Sequence, residues 1–344
     1  MSGEMWEIID NEIRLIDEES GKITNATHSI ITDKMLTFDY WDYLAWAIAT
    51  ADCNDVLSIG HASGAFNQIL NNWNMPARGM GFEIDSSYKQ INSKYNNINV
   101  YYTDFRKGYD LIKSKYDTIV IDVYDNRGYV DDAYDTEWIS NFLKLRKNNG
   151  KVLFHCIDFT ATLLAANITI PSIPSFLISM IKRIRLITKE PIYIVPLWST
   201  YLVWIGPYPK KIHSKLPQIQ WVDRFFRSRI RVINEINYDV EMIKKPWSYD
   251  VYEFTRLQMI KFLKEMVPKG MEKIHELKKM AEVFDNQQDI HKIDKIITYY
   301  KDNRKSRYEF NQIISVLYAM KGDWNNSMNF LEEKEPKSIK WFLV

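Results

Sequence analysis

Four acids stand where an open α/β sheet binds its ligands. Glu83 sits in the apolar run Arg78 to Ile84, Asp104 follows Asn99 to Tyr102, and Asp122 and Asp125 follow Thr118 to Ile121. Carboxylates at the ends of successive strands face the crevice where such sheets hold a nucleoside, and an acid at the second strand can accept from both ribose hydroxyls. Upstream, Gly60-His61-Ala62-Ser63-Gly64 joins a strand to a helix, its glycines placed to turn the backbone sharply and admit a ligand. A dinucleotide fingerprint would add a third glycine and a pyrophosphate at the helix N-terminus. This loop has no third glycine, which suits a nucleoside lacking pyrophosphate.

Positioning these groups takes alternating strands and helices. Between Asp55 and Gly206, buried apolar runs (56–59, 78–84, 99–102, 118–121, 151–156) alternate with helical stretches such as 65–73, 86–95 and 136–145. That pattern predicts a Rossmann-like, doubly wound, mostly parallel α/β sheet of seven strands. Its last two strands, Ile192 to Leu197 and Tyr201 to Ile205, form an antiparallel hairpin. A small N-terminal β-hairpin region occupies 1–36, with Trp6 to Ile16 as one arm and Lys22 to Ile31 as the other. Helical spacing over Asp39 to Thr50 leads into the sheet domain, 37–208. After Pro209 the strands stop, and 209–344 reads as an all-helical region with an amphipathic stripe over 249–266 and a helix-turn-helix around Lys321-Gly322-Asp323.

The loop and strand-end spacing resembles the class I S-adenosylmethionine-dependent fold. On that resemblance Gly60, His61, Ser63, Gly64, Glu83 and Asp104 are the cofactor-binding residues, with Glu83 on the ribose and Asp104 on the adenine amino group. Asp85 is expected to cap the helix that begins at Ser86. Within that fold, Asp122-Val123-Tyr124-Asp125 resembles the Asp-x-x-Asp of the spermidine synthase (polyamine aminopropyltransferase) family. Tyr40-Trp41-Asp42-Tyr43-Leu44 matches that family's segment before the first strand, and Pro196 its recurrent proline between the last two strands. The likeness spans about residues 6 to 210 and leaves the helical remainder unexplained.

The resemblance implies that Asp122 helps deprotonate an attacking amine, that Asp125 helps bind it, and that Tyr40 lines the substrate pocket. Such residues suffice chemically: an alkyl amine of pKa near 10 is only about one part in a thousand neutral at pH 7, a cost of about 4 kcal/mol at about 1.36 kcal/mol per unit. A carboxylate within reach removes that proton as attack proceeds. Decarboxylated S-adenosylmethionine is then the implied cosubstrate and a polyamine the acceptor. The chain also departs from the family, with Ser63 for an aspartate, Asn126 for a proline and His155-Cys156-Ile157 for a glutamine motif. Ser63 removes a charge near the cofactor's tail, which keeps S-adenosylmethionine and methyl transfer open, as well as a catalytically degenerate sheet carrying a helical interaction module.

Composition narrows the setting. Across 344 residues, 45 Lys+Arg balance 44 Asp+Glu, which argues against a uniformly basic nucleic-acid binder. Two cysteines, Cys53 and Cys156, build neither a disulfide framework nor a cysteine zinc site, and the six histidines show no metal-ligand spacing, so no metal is expected. No uncharged apolar run reaches the roughly 18 residues of a membrane span, and a cytoplasmic enzyme is expected. The stretch from Phe159 to Ile181, broken by Pro171 and Pro174, reads as core or loop. From Lys182 to Arg231 the chain is basic while the first sixty residues are acidic. The favoured use of that asymmetry is an interface that meets the acidic N-terminus of the same subunit or of a neighbouring one in a homo-oligomer, with an RNA-binding strip, interleaved by Trp221, Phe225 and Phe226, as the alternative.

Overall fold

The computed structural model describes residues 6–16, 21, 23–51, 54–95, 97–125, 128–129, 131–157, 176–197, 200–233, 297–298, 308–331 and 337–338. Three antiparallel strands open the chain: β1 (Trp6–Ile9), β2 (Glu12–Ile16) and β3 (Ile23–Ile30). The expected hairpin is therefore a three-stranded sheet. Its first arm folds back at Asp10-Asn11, whose φ values of 51° and 70° are those of a two-residue primed turn.

The main domain runs α1 (Tyr40–Ala49), β4 (Asp55–Ile59), α2 (Ala65–Asn72), β5 (Arg78–Glu83), α3 (Lys89–Tyr95), β6 (Ile98–Tyr102), α4 (Phe105–Gly108) and β7 (Tyr116–Ile121). A two-residue pair follows, β8 (Tyr124–Asp125) with β9 (Gly128–Tyr129), then α5 (Thr136–Leu145) and β10 (Arg146–Ile157). After α6 (Phe176–Ile187) come β11 (Ile192–Leu197), β12 (Thr200–Ile205), α7 (Pro217–Arg229), β13 (Arg231–Ile233), α8 (Tyr308–Met320), α9 (Trp324–Asn329) and β14 (Lys337–Ser338).

The large sheet has the order β14-β13-β11-β12-β10-β7-β4-β5-β6. Strands β6, β5, β4, β7 and β10 are parallel, and β12 runs against both β10 and β11. The expected seven-stranded, doubly wound sheet with its terminal hairpin is thus present, and chain order reverses between β4 and β7. What the sequence reading lacked is the extension by β13 and β14, which arise after Pro209 where only helices were expected. At three residues and two they leave no alternation to read; pairing with the edge of β11 makes β13 a strand, and pairing with β13 makes β14 one. The stripe over 249–266, Cys53 and residues 158–175 lie outside the described residues; the end of the apolar stretch from Phe159 belongs to α6.

Alternation divides the core into two layers. On β7, Ile119 and Ile121 face α5 and α6, while Val120 faces the side of α1, α2 and α7; on β12, Tyr201, Val203 and Ile205 alternate with Leu202 and Trp204. With both faces covered, the acids at the strand ends are left at the rim. Helix α1 begins where the Asp39 carboxylate accepts from Tyr40 N at 2.6 Å, which fixes Tyr40 at that rim.

Candidate functional site

The loop after β4 is tied down on every side. Gly60 N and His61 N donate to the Phe82 carbonyl of β5 at 3.0 and 3.1 Å, and Ala62 N donates to Glu83 Oε2 at 2.6 Å. Gly60 has φ +77°, and a Cβ there would run into the carbonyl of Asp122. Only glycine lets β4 and β7 end this close together. Gly64, at φ 67°, turns the chain into α2.

Around this loop lies a cavity of about 260 Å³ at the carboxyl ends of β4, β5 and β7, near the lower end of the roughly 300–1,000 Å³ common for small-molecule sites. Tyr40, Gly60, His61, Glu83, Asp104 and Asp122 all line it, and Ile59, Phe66, Phe82 and Val123 supply apolar wall. Glu83 is buried; its Oε1 accepts from Asp85 N at 3.0 Å, and burial pushes its carboxyl up to about 7 despite these donors. The His61 ring is buried against Gly81 and meets Phe66 edge-on at 5.5 Å. Asp104 lines the cavity but caps α4, accepting from Arg106 N at 2.9 Å, and its carboxylate is also clasped by the Arg106 guanidinium, whose bonds hold its pKa below the usual range. An adenine amino group there has to share that carboxylate with Arg106.

Two expected ligands stand back from the cavity. Ser63 is fully buried and turned away: its Oγ bonds the Ile30 carbonyl and Ser29 Oγ, both at 2.6 Å, so it clips the loop to β3. Gly64 likewise shapes the helix start and is not part of the lining. Asp125 pairs through its backbone with Gly128, and its side chain lies outside the described residues. Asp85 accepts from Ser87 N at 2.9 Å, as a cap should, and Asp135 caps α5 through Trp138 N at 2.8 Å.

The structure adds residues that the sequence did not single out. His155, at the end of β10, is buried with Nδ1 2.8 Å from Asp122 Oδ1, and the Tyr40 ring stacks on it at 4.1 Å and 7°. One Asp122 oxygen is therefore anchored from behind, so that the carboxylate is oriented at the cavity wall. His155 was legible only as a departure from a glutamine motif, although the strand-end rule that selected Asp122 selects it too. His28, from β3, also lines the cavity, and burial lowers its pKa against the pull of Asp122 and Asp85. Nothing local marks it, because the N-terminal sheet reaches the site only through tertiary contacts: Trp6 stacks on Tyr88 at 5.4 Å and donates to Ser87 Oγ at 2.6 Å. Among the described residues no group of three or more His, Cys, Asp or Glu side chains is placed to hold a metal ion, and no helix is long and apolar enough to cross a membrane.

No family model matches the chain, and no curated protein matches it. Among solved structures it is similar to a probable spermidine synthase from Corynebacterium glutamicum, at 12% identity and TM-score 0.43 over 73% of this chain and 90% of that one. Spermidine synthase from Thermotoga maritima gives 12% identity and TM-score 0.41, over 73% of this chain and 82% of that one. Human methyltransferase-like protein 13, in complex with SAH, gives 12% and 0.38, over 59% and 94%. These similarities concern the fold.

Proposed function

We propose that this chain is an adenosyl-sulfonium-dependent transferase that alkylates an amine, with aminopropyl transfer as the reaction and a polyamine as the acceptor. The observation that carries the reading is the Asp122 carboxylate, held by His155 at the wall of a cavity that also presents Glu83 beside a bare glycine backbone. The residues fit an adenosyl group: Glu83 can take the ribose hydroxyls, and Phe82, Ile59 and Val123 offer apolar surface for a base. When bound, the sulfonium supplies an electrophilic carbon. The protein's part is to exclude water, orient the amine and take its proton. His155 Nδ1 fixes one Asp122 oxygen, and the carboxylate so oriented accepts the amine proton as the carbon–nitrogen bond forms and the carbon–sulfur bond breaks to leave a neutral thioether. Tyr40 and Trp41 line the same cavity and offer aromatic faces to a cationic chain.

Methyl transfer from S-adenosylmethionine is the second reading. It is favoured by Ser63, which stands where the aminopropyltransferase resemblance calls for an aspartate and whose neutral side chain faces β3.

Calorimetry with decarboxylated S-adenosylmethionine, S-adenosylmethionine and methylthioadenosine tests both. Preference for the decarboxylated form supports aminopropyl transfer, preference for S-adenosylmethionine supports methyl transfer, and no binding of any of the three removes both. Asp122→Asn is expected to keep nucleoside affinity within a few-fold while lowering kcat by about 100-fold or more. Unchanged turnover with a polyamine acceptor would refute Asp122 as the base.

A further inference from the structure

At the opposite end of the sheet lies a larger opening. Strand β11 runs parallel to β10, so its start at Ile192 and the end of β13 at Ile233, which pair with one another, mark the edge away from the strand ends that hold Glu83 and Asp122. A groove of about 1390 Å³ opens there between α6, α7 and the segment after β12. Its size exceeds the roughly 1,000 Å³ upper range of small-molecule sites, which points to a polymer. Lys189, Lys211, His213 and Lys215 stand exposed around it. Asp223, the acid among the lining residues, is already engaged by Arg227 at 2.9 Å and by Trp46 at 3.0 Å.

Two guanidinium groups on α7 identify the chemistry. Arg224 and Arg227, three residues apart and so on one helix face, both line the groove. Arg227 spends Nε on Asp223 and Nη1 on the Pro209 carbonyl, and among the described residues neither its buried Nη2 nor the buried Arg224 Nε meets an acceptor. Both guanidinium groups keep their charge at any ordinary pH, so the groove wall they line favours an anionic oxygen. Beside them Tyr208 is 37% exposed, meets Tyr193 edge-on at 5.5 Å and lies under Arg227 at 5.9 Å, which places an aromatic ring among the cations of the groove.

We infer that this groove binds a single-stranded nucleic acid, with phosphates on Arg224, Arg227 and the lysines and a base stacked on Tyr208. Stacking platforms within a basic groove are how sequence-tolerant strands are held. An acidic surface of a second copy fits less well, since lysine is depleted in the cores of protein interfaces and a carboxylate has no use for a tyrosine face. The inference does not depend on the nucleoside site.

The test is fluorescence anisotropy of the full chain with labelled uridine and deoxythymidine oligonucleotides across a salt series. Binding that weakens with salt is expected for either sugar, with each phosphate contact adding about 0.7 to the log–log slope. Lys189→Gln with Lys215→Gln, both at exposed positions, should reduce that slope by about 1.4. Arg224→Gln should weaken binding by about tenfold, with an unchanged melting curve showing that it folds. Absence of binding at low salt, a slope that the lysine changes do not alter, or equal affinity for polyglutamate of matched charge would each overturn the proposal. So would a dimer in sedimentation that these lysine changes dissociate and that excludes the oligonucleotide.

Discussion

At the scale of single residues, Glu83 carries two burdens in one carboxylate. It holds the glycine loop through Ala62 N and, in the proposed reaction, accepts the ribose hydroxyls. Burial has raised its pKa to about 7, so just below that pH the folded protein holds a proton that ribose donors must displace. Ligand binding favours the ionised form, and the sign follows: affinity for methylthioadenosine should rise with pH up to about 7 and then level off. One unit below that value the loss should be approaching about tenfold per further unit. Calorimetry in two buffers of different ionisation enthalpy should show proton release on binding in the acid range; a flat profile would remove Glu83 as a ribose acceptor. Asp104 shows the limit of reading an acid by position alone. Its place at the end of β6 is as expected, but Arg106, two residues on, already occupies its carboxylate.

At the scale of elements, the start of α1 was readable because its signal is local, apolar residues at helical spacing from Asp39 onward. Its second anchor was not. Asp42 is buried and accepts from Thr37 N at 2.9 and 3.0 Å, from Thr37 Oγ1 at 2.9 Å and from Phe38 N at 2.6 Å, closing the turn between the N-terminal sheet and the helix. Asp42→Ala leaves those donors without an acceptor and should destabilise the protein by about 1–3 kcal/mol in urea unfolding. An effect under a few tenths would mean that water replaces the carboxylate. The same turn delivers Tyr40 to His155, so the variant should also weaken binding of the acceptor amine. Elements β13 and β14 teach the converse. Three residues and two carry no periodicity of their own; the edge of β11 decides the state of β13, and β13 that of β14.

At the scale of the whole molecule, the sheet separates two surfaces of different chemistry, a small acid-lined cavity at one end and a wide cationic groove at the other. Because no described cavity residue also lines the groove, ligand effects at the two ends should add. Methylthioadenosine at about 100 times its Kd should stabilise the protein by about 2.7 kcal/mol, and by the same amount in the Lys189→Gln, Lys215→Gln variant. A differing shift in thermal melts would show that the ends are coupled. The near equality of 45 basic and 44 acidic residues thus conceals a polarity that the sequence shows along the chain and the fold turns into two opposite surfaces. By itself the sequence determined the alternation of strands and helices, the glycine turn at Gly60 and the acids at strand ends, because each is written in neighbours a few residues apart. Only the tertiary structure decided that His155 stands behind Asp122, that His28 reaches the cavity, that Ser63 faces away from it and that a groove opens beside the shared face of Arg224 and Arg227. Those facts rest on contacts between segments distant in the chain, and no local pattern encodes which side chains meet when a sheet closes.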